Sequence, residues 1–262
     1  VEAHDYRIKY FDLATREQTS KDSLDAFEFL PRAGIVYNPI PSLALYYGYS
    51  RGFQPQWSSN GGNAGGPFPP EKSRQHEIGV KKEWLNQRLI TTLACFHIRK
   101  LDVLAPDPTD TSGIRLIQIS NVESKGIEFT AQGKVTDGLN IIFNYSYNEA
   151  TTPGDSGYDG FPPGWFPQAP NHNTSLWAKY TLTEGALKNL GVGAGMYYLS
   201  KRNTYTTGFE LPAYTTVDAA ISYKLKGVNL SANIYNVTNT RYWNGAYGPS
   251  NLWPGNPRSF RI

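Results

Sequence analysis

Apolar residues recur at every second position in one segment of this chain after another. Between Thr215 and Leu225, Val217, Ala219, Ile221, Tyr223 and Leu225 share one parity, and Thr216, Asp218, Ala220, Ser222 and Lys224 share the other. Leu230, Ala232 and Ile234 oppose Asn229, Ser231 and Asn233 in the same way. Leu139, Ile141, Phe143, Tyr145 and Tyr147 oppose Asn140, Asn144, Ser146 and Asn148, with Ile142 the one misfit. Leu43, Leu45, Tyr47 and Tyr49 alternate with Ala44, Gly48 and Ser50, and Leu190, Val192, Ala194, Met196 and Tyr198 with Gly191, Gly193, Gly195 and Tyr197. Side chains along a strand point to alternate faces, so this period predicts strands with one apolar and one polar face. The spacings of three and four that a helix needs are missing. About twelve strands are predicted, with cores near 2–13, 27–38, 42–51, 73–83, 87–101, 115–135, 138–149, 171–182, 188–200, 213–225, 228–240 and 256–262. The sixth is long and is expected to be interrupted near Asn121.

The connections fall into two classes that alternate along the chain. Short ones lie at 38–41, 85–86, 136–138, 184–186 and 226–227, and long ones near 14–26, 52–72, 102–114, 150–170, 201–212 and 241–255. In an antiparallel meander alternate connections emerge at the same end, so one end carries tight turns and the other long loops. Outer-membrane barrels have this asymmetry. The polar parity carries mostly Ser, Thr, Asn and Gly, which suits a wet lumen, and the apolar parity often ends in Tyr, which suits an interfacial girdle. A soluble β-sandwich with Tyr-rich edges is the competing architecture.

Composition narrows the classes further. The 262 residues include 18 Tyr, 12 Phe, 6 Trp, 25 Gly and 18 Pro, a balance foreign to helical bundles and to disordered chains. Cys95 is the sole cysteine, so there is no disulfide framework or thiolate cluster. A net charge of +3 is too weak for a nucleic-acid binder, and no apolar run is long enough for a membrane helix. Gly48-Tyr49-Ser50-Arg51-Gly52 fits a hydrolase nucleophile pattern, but that pattern needs a helix directly after the serine, and a loop rich in Gly, Ser, Asn and Pro follows instead. Gly191, Gly193 and Gly195 sit at alternate positions of one predicted strand, which argues for close packing or room for a plug rather than a nucleotide site. His4, His76, His97 and His172 lack metal-ligand spacing, so no metal site and no enzymatic chemistry are expected.

Several stretches resemble TonB-dependent outer-membrane siderophore receptors, the ferrichrome-type receptors among them. They include Pro31-Arg32-Ala33-Gly34-Ile35-Val36-Tyr37, the run from Leu45 to Gln56, His76-Glu77-Ile78-Gly79-Val80-Lys81 and Asn121-Val122-Glu123-Ser124-Lys125-Gly126-Ile127-Glu128. Pro170-Asn171-His172-Asn173, the run from Leu211 to Ala219, Asn236-Val237-Thr238-Asn239 and Pro257-Arg258-Ser259-Phe260 complete the series. Each is weak alone, but their order and spacing cover nearly the whole chain. The resemblance implies an all-β, antiparallel transmembrane β-barrel of 22 strands, of which these are the last twelve, with the plug and its TonB box outside this chain. Residues 1–262 are then one partial barrel domain, opening and closing inside strands. Asp218, Lys179, Lys224 and Glu128 are expected to face the lumen and its plug.

Four long loops bring aromatics to one end. The candidate binding residues are Phe53, Trp57, Trp165, Phe166, Tyr205, Tyr247 and Trp253. Rigid aromatic surface binds planar or apolar ligands at small ordering cost. The resemblance places Trp253 where ferrichrome-type receptors offer an aromatic to the ligand, and the other six rest on composition. The expected function is capture of a ferric siderophore outside the cell and its import to the periplasm. The partners would be outer-membrane lipid and the TonB energy-coupling complex, reached through the plug. No cofactor is expected, since iron enters only as siderophore-bound cargo. The alternatives are a porin-like passive channel and a soluble carbohydrate-binding β-protein.

Overall fold

A computed structural model describes residues 2–11, 18–56, 68–106, 116–152 and 165–262. Every regular element among them is a strand. In chain order these are β1 (Glu2–Phe11), β2 (Gln18–Glu28), β3 (Arg32–Ile40), β4 (Leu43–Gln54), β5 (Glu71–Trp84), β6 (Leu89–Pro106), β7 (Leu116–Lys134), β8 (Leu139–Thr151) and β9 (His172–Thr181). There follow β10 (Leu190–Leu199), β11 (Arg202–Asn203), β12 (Glu210–Leu211), β13 (Tyr214–Leu225), β14 (Val228–Tyr235), β15 (Trp243–Gly248), β16 (Asn251–Pro254) and β17 (Ser259–Arg261). Eleven of them form a single antiparallel sheet in the order β17-β14-β13-β10-β9-β8-β7-β6-β5-β4-β3, and β1-β2, β11-β12 and β15-β16 are separate hairpins.

Register turns the alternation into two continuous faces, because directly paired residues project from the same side of a sheet. Tyr37, Leu45, Val80, Leu93, Phe129 and Tyr145 form one cross-strand row. Ile35, Tyr47, Ile78, Cys95, Ile127 and Tyr147 form the next row of the same face. Farther along the sheet, Tyr180, Val192, Ile221 and Ala232 continue that parity. No second layer of the described chain covers this face: Ile78 is 61%, Val192 57% and Ile221 50% exposed. A water-soluble sandwich would have buried these rows. Only a hydrocarbon solvent makes such a face favourable, which decides for a membrane barrel wall over a sandwich.

The opposite face carries Glu77, Glu128, Asn144, Ser175 and Ser222, with Lys179, Asp218 and Lys224 on the same parity, as expected of a lumen. Its few large rings lie flat against the wall. A Cβ on Gly193 would come within 2.7 Å of the Trp177 ring, and one on Gly195 within 2.5 Å. Gly193 and Gly195 therefore seat an indole, while the third glycine of the series, Gly191, makes room for the Lys179 and Ser222 side chains.

Tight turns close one end. Lys226 and Gly227 both have positive φ (45° and 89°), the two-residue hairpin conformation that matches strand twist. Leu85, Asn86 and Gln87 turn the chain between β5 and β6 with φ between 53° and 67°. The long connections all leave from the other end. There β6 and β7, 18 and 19 residues long, outrun the 9–11 residues or so that cross a bilayer.

The structure corrects several boundaries. Residues 18–26, expected to lie in a loop, belong with 27–28 to β2, which pairs with β1 apart from one bulge at Tyr10/Phe11, so the predicted strand 27–38 is divided and its sheet strand begins only at Arg32. The sheet thus holds eleven strands, and the first predicted strand lies outside it, in that hairpin. The long sixth strand is not broken near Asn121, since β6 and β7 pair down to Pro106 and Leu116. One irregularity occurs opposite position 120, where Asp102 adopts φ 59°. Gln56 bridges it, donating from Nε2 to the Asp102 carbonyl and accepting from the Leu104 amide at 3.0 Å. The strand predicted over 228–240 stops at Tyr235, because Asn236 (φ 51°) and Asn239 (φ 53°) turn the chain out of the sheet. The last strand is Ser259–Arg261, shorter than 256–262. Gly48-Tyr49-Ser50-Arg51-Gly52 lies wholly within β4, with Ser50 paired to Gln75, so no strand-to-helix turn presents that serine as a nucleophile.

Candidate ligand-binding mouth

The most completely buried side chains lie in the loops rather than in the wall. Leu211 is 1% exposed, and Thr204 and Ala246 are 0%. Removing a leucine side chain from water contributes about 1.5–3 kcal/mol, so these short hairpins dock firmly. Arg202 fastens β11 to the last loop: its Nη2 donates to the carbonyls of Trp243 (2.7 Å) and Asn244 (2.8 Å), and its guanidinium lies 6.0 Å from the Tyr214 ring centre. Burial pulls Arg202 below its ordinary pKa, opposed by Tyr214 and Tyr197. Thr206 Oγ1 donates to the Tyr247 carbonyl at 3.2 Å. The 165–171 segment joins through the Gln168 amide, which donates to the Asn203 carbonyl at 2.9 Å, and through Gln168 Nε2, which donates to the Ala246 carbonyl.

At the root of the last loop, Asn236 is 4% exposed. Its backbone N–H donates to Asp218 Oδ1 at 2.7 Å, and its Nδ2 donates to the carbonyls of Thr240 (2.9 Å) and Asn256 (3.1 Å). Its Oδ1 accepts from the Thr240 amide at 2.9 Å. Both ends of the loop are thereby pinned to one side chain, and Asp218, a lumen-facing acid by parity, acts as its anchor.

On this frame three of the seven candidate rings meet. Tyr205 and Tyr247 lie 5.2 Å apart, and Trp253 packs edge-on to Tyr247 at 5.3 Å. All three remain 42–54% exposed. Trp165 is anchored beside them, its Nε1 donating to the Thr204 carbonyl at 2.9 Å. Phe166 instead lines a separate cavity of about 460 Å³ against the lumen face of β5–β8, together with Glu71, Lys100 and Asn148. Phe53 belongs to β4, opposite Lys72, and shares the parity of Leu45 and Tyr47 on the outer face. Trp57 lies outside the described residues.

Several contributors were missed in the sequence. Lys100 and Glu71 form a 2.8 Å ion pair at the Phe166 cavity. Lys100 shares the inward parity of Ile98 and Phe96, a signal that was available. Tyr214 stacks on Tyr242 at 4.3 Å and faces Tyr197 at 6.1 Å, a file of rings linking the lumen wall to the last loop. No cluster of three or more His, Cys, Asp or Glu side chains able to hold a metal ion occurs among the described residues.

The family model described as TonB dependent receptor-like, beta-barrel, matches residues 3–237. The chain belongs to this family. TonB-dependent receptors of this kind are outer-membrane transporters and receptors rather than enzymes, and the wall described above is part of an outer-membrane barrel. The metal-pseudopaline receptor of Pseudomonas aeruginosa is 35% identical over 240 residues, covering 88% of this chain and 32% of the relative. The ferrichrome outer membrane transporter/phage receptor of Escherichia coli K12 is 29% identical over 243 residues, again 88% of this chain and 32% of the relative. Among solved structures, the siderophore receptor PiuA of Acinetobacter baumannii superposes with a TM-score of 0.78 at 23% identity, covering 98% of this chain and 38% of that one, a likeness of fold. The ferripyoverdine-bound receptor of the P. aeruginosa outer membrane gives 0.76 at 25% identity, covering 91% and 33%. The TonB-dependent receptor segment seen here thus spans about a third of the length of these curated relatives.

Proposed function

We propose that this chain is the C-terminal half of the barrel of a receptor that captures a ferric siderophore outside the cell and admits it to the periplasm. The observation that carries this reading is the contact of Tyr205, Tyr247 and Trp253 with one another, half exposed, on hairpins that hydrogen bonds lock in place. A rigid aromatic surface pays its ordering cost in folding, so a planar chelate docks without rearranging it. The names of the relatives, which include receptors for ferrichrome, ferrioxamine B and ferric pyoverdine, support the cargo class. In this reading Trp165 braces the platform, and the Phe166 cavity with Lys100 is a second contact zone nearer the lumen. Phe53, near the end of β4, remains at the same end of the barrel as a rim residue. Energy would come from the inner-membrane TonB complex acting through a plug.

The relative with 35% identity is named for a metal chelate rather than a ferric one, so the metal itself is a variable of the test. The intact gene carrying this segment is expressed in receptor-deficient cells, and uptake of radiolabelled chelates of iron and of other transition metals is measured with and without a functional TonB. Uptake of a ferric chelate that requires TonB and falls at least tenfold in Trp253→Ala supports the proposal. Uptake that ignores TonB supports a passive channel instead.

A further inference from the structure

Two rings of the mouth are placed to react with each other. Among the described residues three tyrosine pairs are in ring contact: Tyr197 with Tyr214, Tyr214 with Tyr242, and Tyr205 with Tyr247. Tyr197, Tyr214 and Tyr242 are half-buried, whereas Tyr205 is 42% and Tyr247 54% exposed. Of the three contacts, only Tyr205 with Tyr247 has both members open to reagents in solution. Their ring centres are 5.2 Å apart and their planes are tilted by 38°. The two rings come from different hairpins, β11–β12 and β15–β16, so a bond between them would join two loops.

Both backbones are held at this contact. Tyr205 stands between Thr204, which donates from Oγ1 to the Phe209 carbonyl at 2.8 Å, and Thr206, whose Oγ1 donates to the carbonyl of Tyr247 itself at 3.2 Å. Tyr247 stands between the fully buried Ala246 and Gly248, where a Cβ would collide with Thr206 Oγ1. The missing side chain at Gly248 therefore lets the two hairpins approach. The two main chains keep a fixed separation, and ring rotation alone adjusts the contact. Holding two reacting groups in this way makes their combination effectively unimolecular.

We infer that Tyr205 and Tyr247 are an oxidative modification site, a pair that peroxide-driven one-electron oxidants couple into a dityrosine staple across the mouth. Each phenol loses one electron and one proton and becomes a phenoxyl radical, with part of its unpaired spin on the ring carbons beside the oxygen. Two such radicals in contact form a carbon–carbon bond between those positions. Each joined carbon then gives up its hydrogen as a proton and each oxygen takes one back, so both hydroxyls return. The net loss is two electrons and two protons, which one molecule of hydrogen peroxide takes up on leaving as two waters. Like a disulfide, the new bond closes a loop of chain, here between positions 205 and 247, and it fixes the last loop against β11–β12 in the arrangement seen here. The inference uses the geometry of the aromatic surface and not the nature of its cargo.

The intact receptor in detergent, dilute and without any chelate, is treated with hydrogen peroxide and a small haem-peptide peroxidase. Dityrosine is read by its fluorescence, and the linked peptides are identified by mass spectrometry after digestion. The 205–247 link is expected to exceed every other tyrosine link by roughly tenfold or more, because only this pair is both exposed and held in contact. Tyr205→Phe and Tyr247→Phe each abolish it, and Tyr180→Phe, at the tight-turn end of the wall, leaves its yield unchanged. Gly248→Ala, which keeps both phenols but presses the hairpins apart, lowers the yield several-fold. Receptor unfolded in denaturant before oxidation loses the preference for this pair. A spread of links with no preference for 205–247 overturns the inference. So does an equal yield of that link from folded and unfolded protein, or oxidation of both rings to catechols without a bond between them. Because no chelate is present, none of these outcomes depends on the uptake experiment above.

Discussion

Replacing Asn236 with alanine tests whether one buried amide holds the last loop in place. The substitution removes three hydrogen bonds, two donated by Nδ2 to the Thr240 and Asn256 carbonyls and one accepted by Oδ1 from the Thr240 amide. At about 1 kcal/mol net for each, the loss is about 3 kcal/mol. The backbone adds to it, since position 236 has φ 51°, and an alanine there costs roughly 1–2 kcal/mol where asparagine is tolerated. The expected destabilisation of the loop is therefore about 4–5 kcal/mol. Asn236→Gly removes the same three bonds without the backbone strain and should cost about 3 kcal/mol. Hydrogen exchange on the intact receptor in detergent reads the effect locally. The Thr240 amide should lose roughly 150-fold or more of its protection in the glycine variant, as about 3 kcal/mol requires. Amides in the ladder between Leu230 and Tyr223 should not change. Ligand affinity should fall alongside, because Tyr247 and Trp253 ride on this loop. If the Thr240 amide changes by less than tenfold in both variants, or if the alanine variant is no worse than the glycine one, the reasoning about this amide is wrong.

Other expectations follow from the two faces and the loop frame. Ile221→Arg places a charge on the lipid side and should cost about 2–4 kcal/mol if it lies near the midplane, whereas Asn144→Arg on the lumen side should be nearly neutral; denaturant titration of the barrel in lipid separates them. Gly193→Val sets side-chain atoms against the Trp177 ring, only 2.7 Å from the position of the Cβ itself, and should cost about 1–3 kcal/mol in the same titration, with Trp177→Leu recovering part of it. Tyr247→Ala should weaken chelate binding by roughly 10- to 30-fold, as loss of a central aromatic contact does. Arg202→Lys keeps the charge but cannot reach the Trp243 and Asn244 carbonyls with one fork, so protease clipping within 241–255 should accelerate while the wall stays resistant.

The wall was legible because alternation is enforced strand by strand: each face meets a different solvent, and a one-residue slip would reverse every side chain. The β2 segment escaped notice because Gln18-Thr19-Ser20-Lys21-Asp22-Ser23 has no apolar parity to read. The Asn236 turn reads as strand in the sequence because Val237 follows a well-patterned run, and only the three-dimensional bonds to Thr240 and Asn256 reveal the stop. For the mouth, composition marked which loops carry rings, and contact among Tyr205, Tyr247 and Trp253 could not be deduced from it, since the loops are far apart in sequence. Phe53 was grouped with them because Gly52 and Pro55 look like loop residues, although its parity with Tyr47 and Tyr49 was readable. Arg202 was invisible for a different reason: an arginine in a loop ordinarily points to water.

The height of β6 and β7 has an effect on everything that approaches the cell. With 18 and 19 residues against about 10 needed for crossing, roughly eight residues of paired ladder, about 27 Å along the strand, stand clear of the lipid on that side. β10 and β14, at 10 and 8 residues, have no such surplus. The paired ladder therefore rises as a parapet on the β6–β7 flank, whereas beyond β10 and β14 the rim is built by the docked β11–β12 and β15–β16 hairpins. Antibodies and other bulky visitors strike the parapet first, which makes its crest the natural place to graft an epitope for watching this protein on living cells.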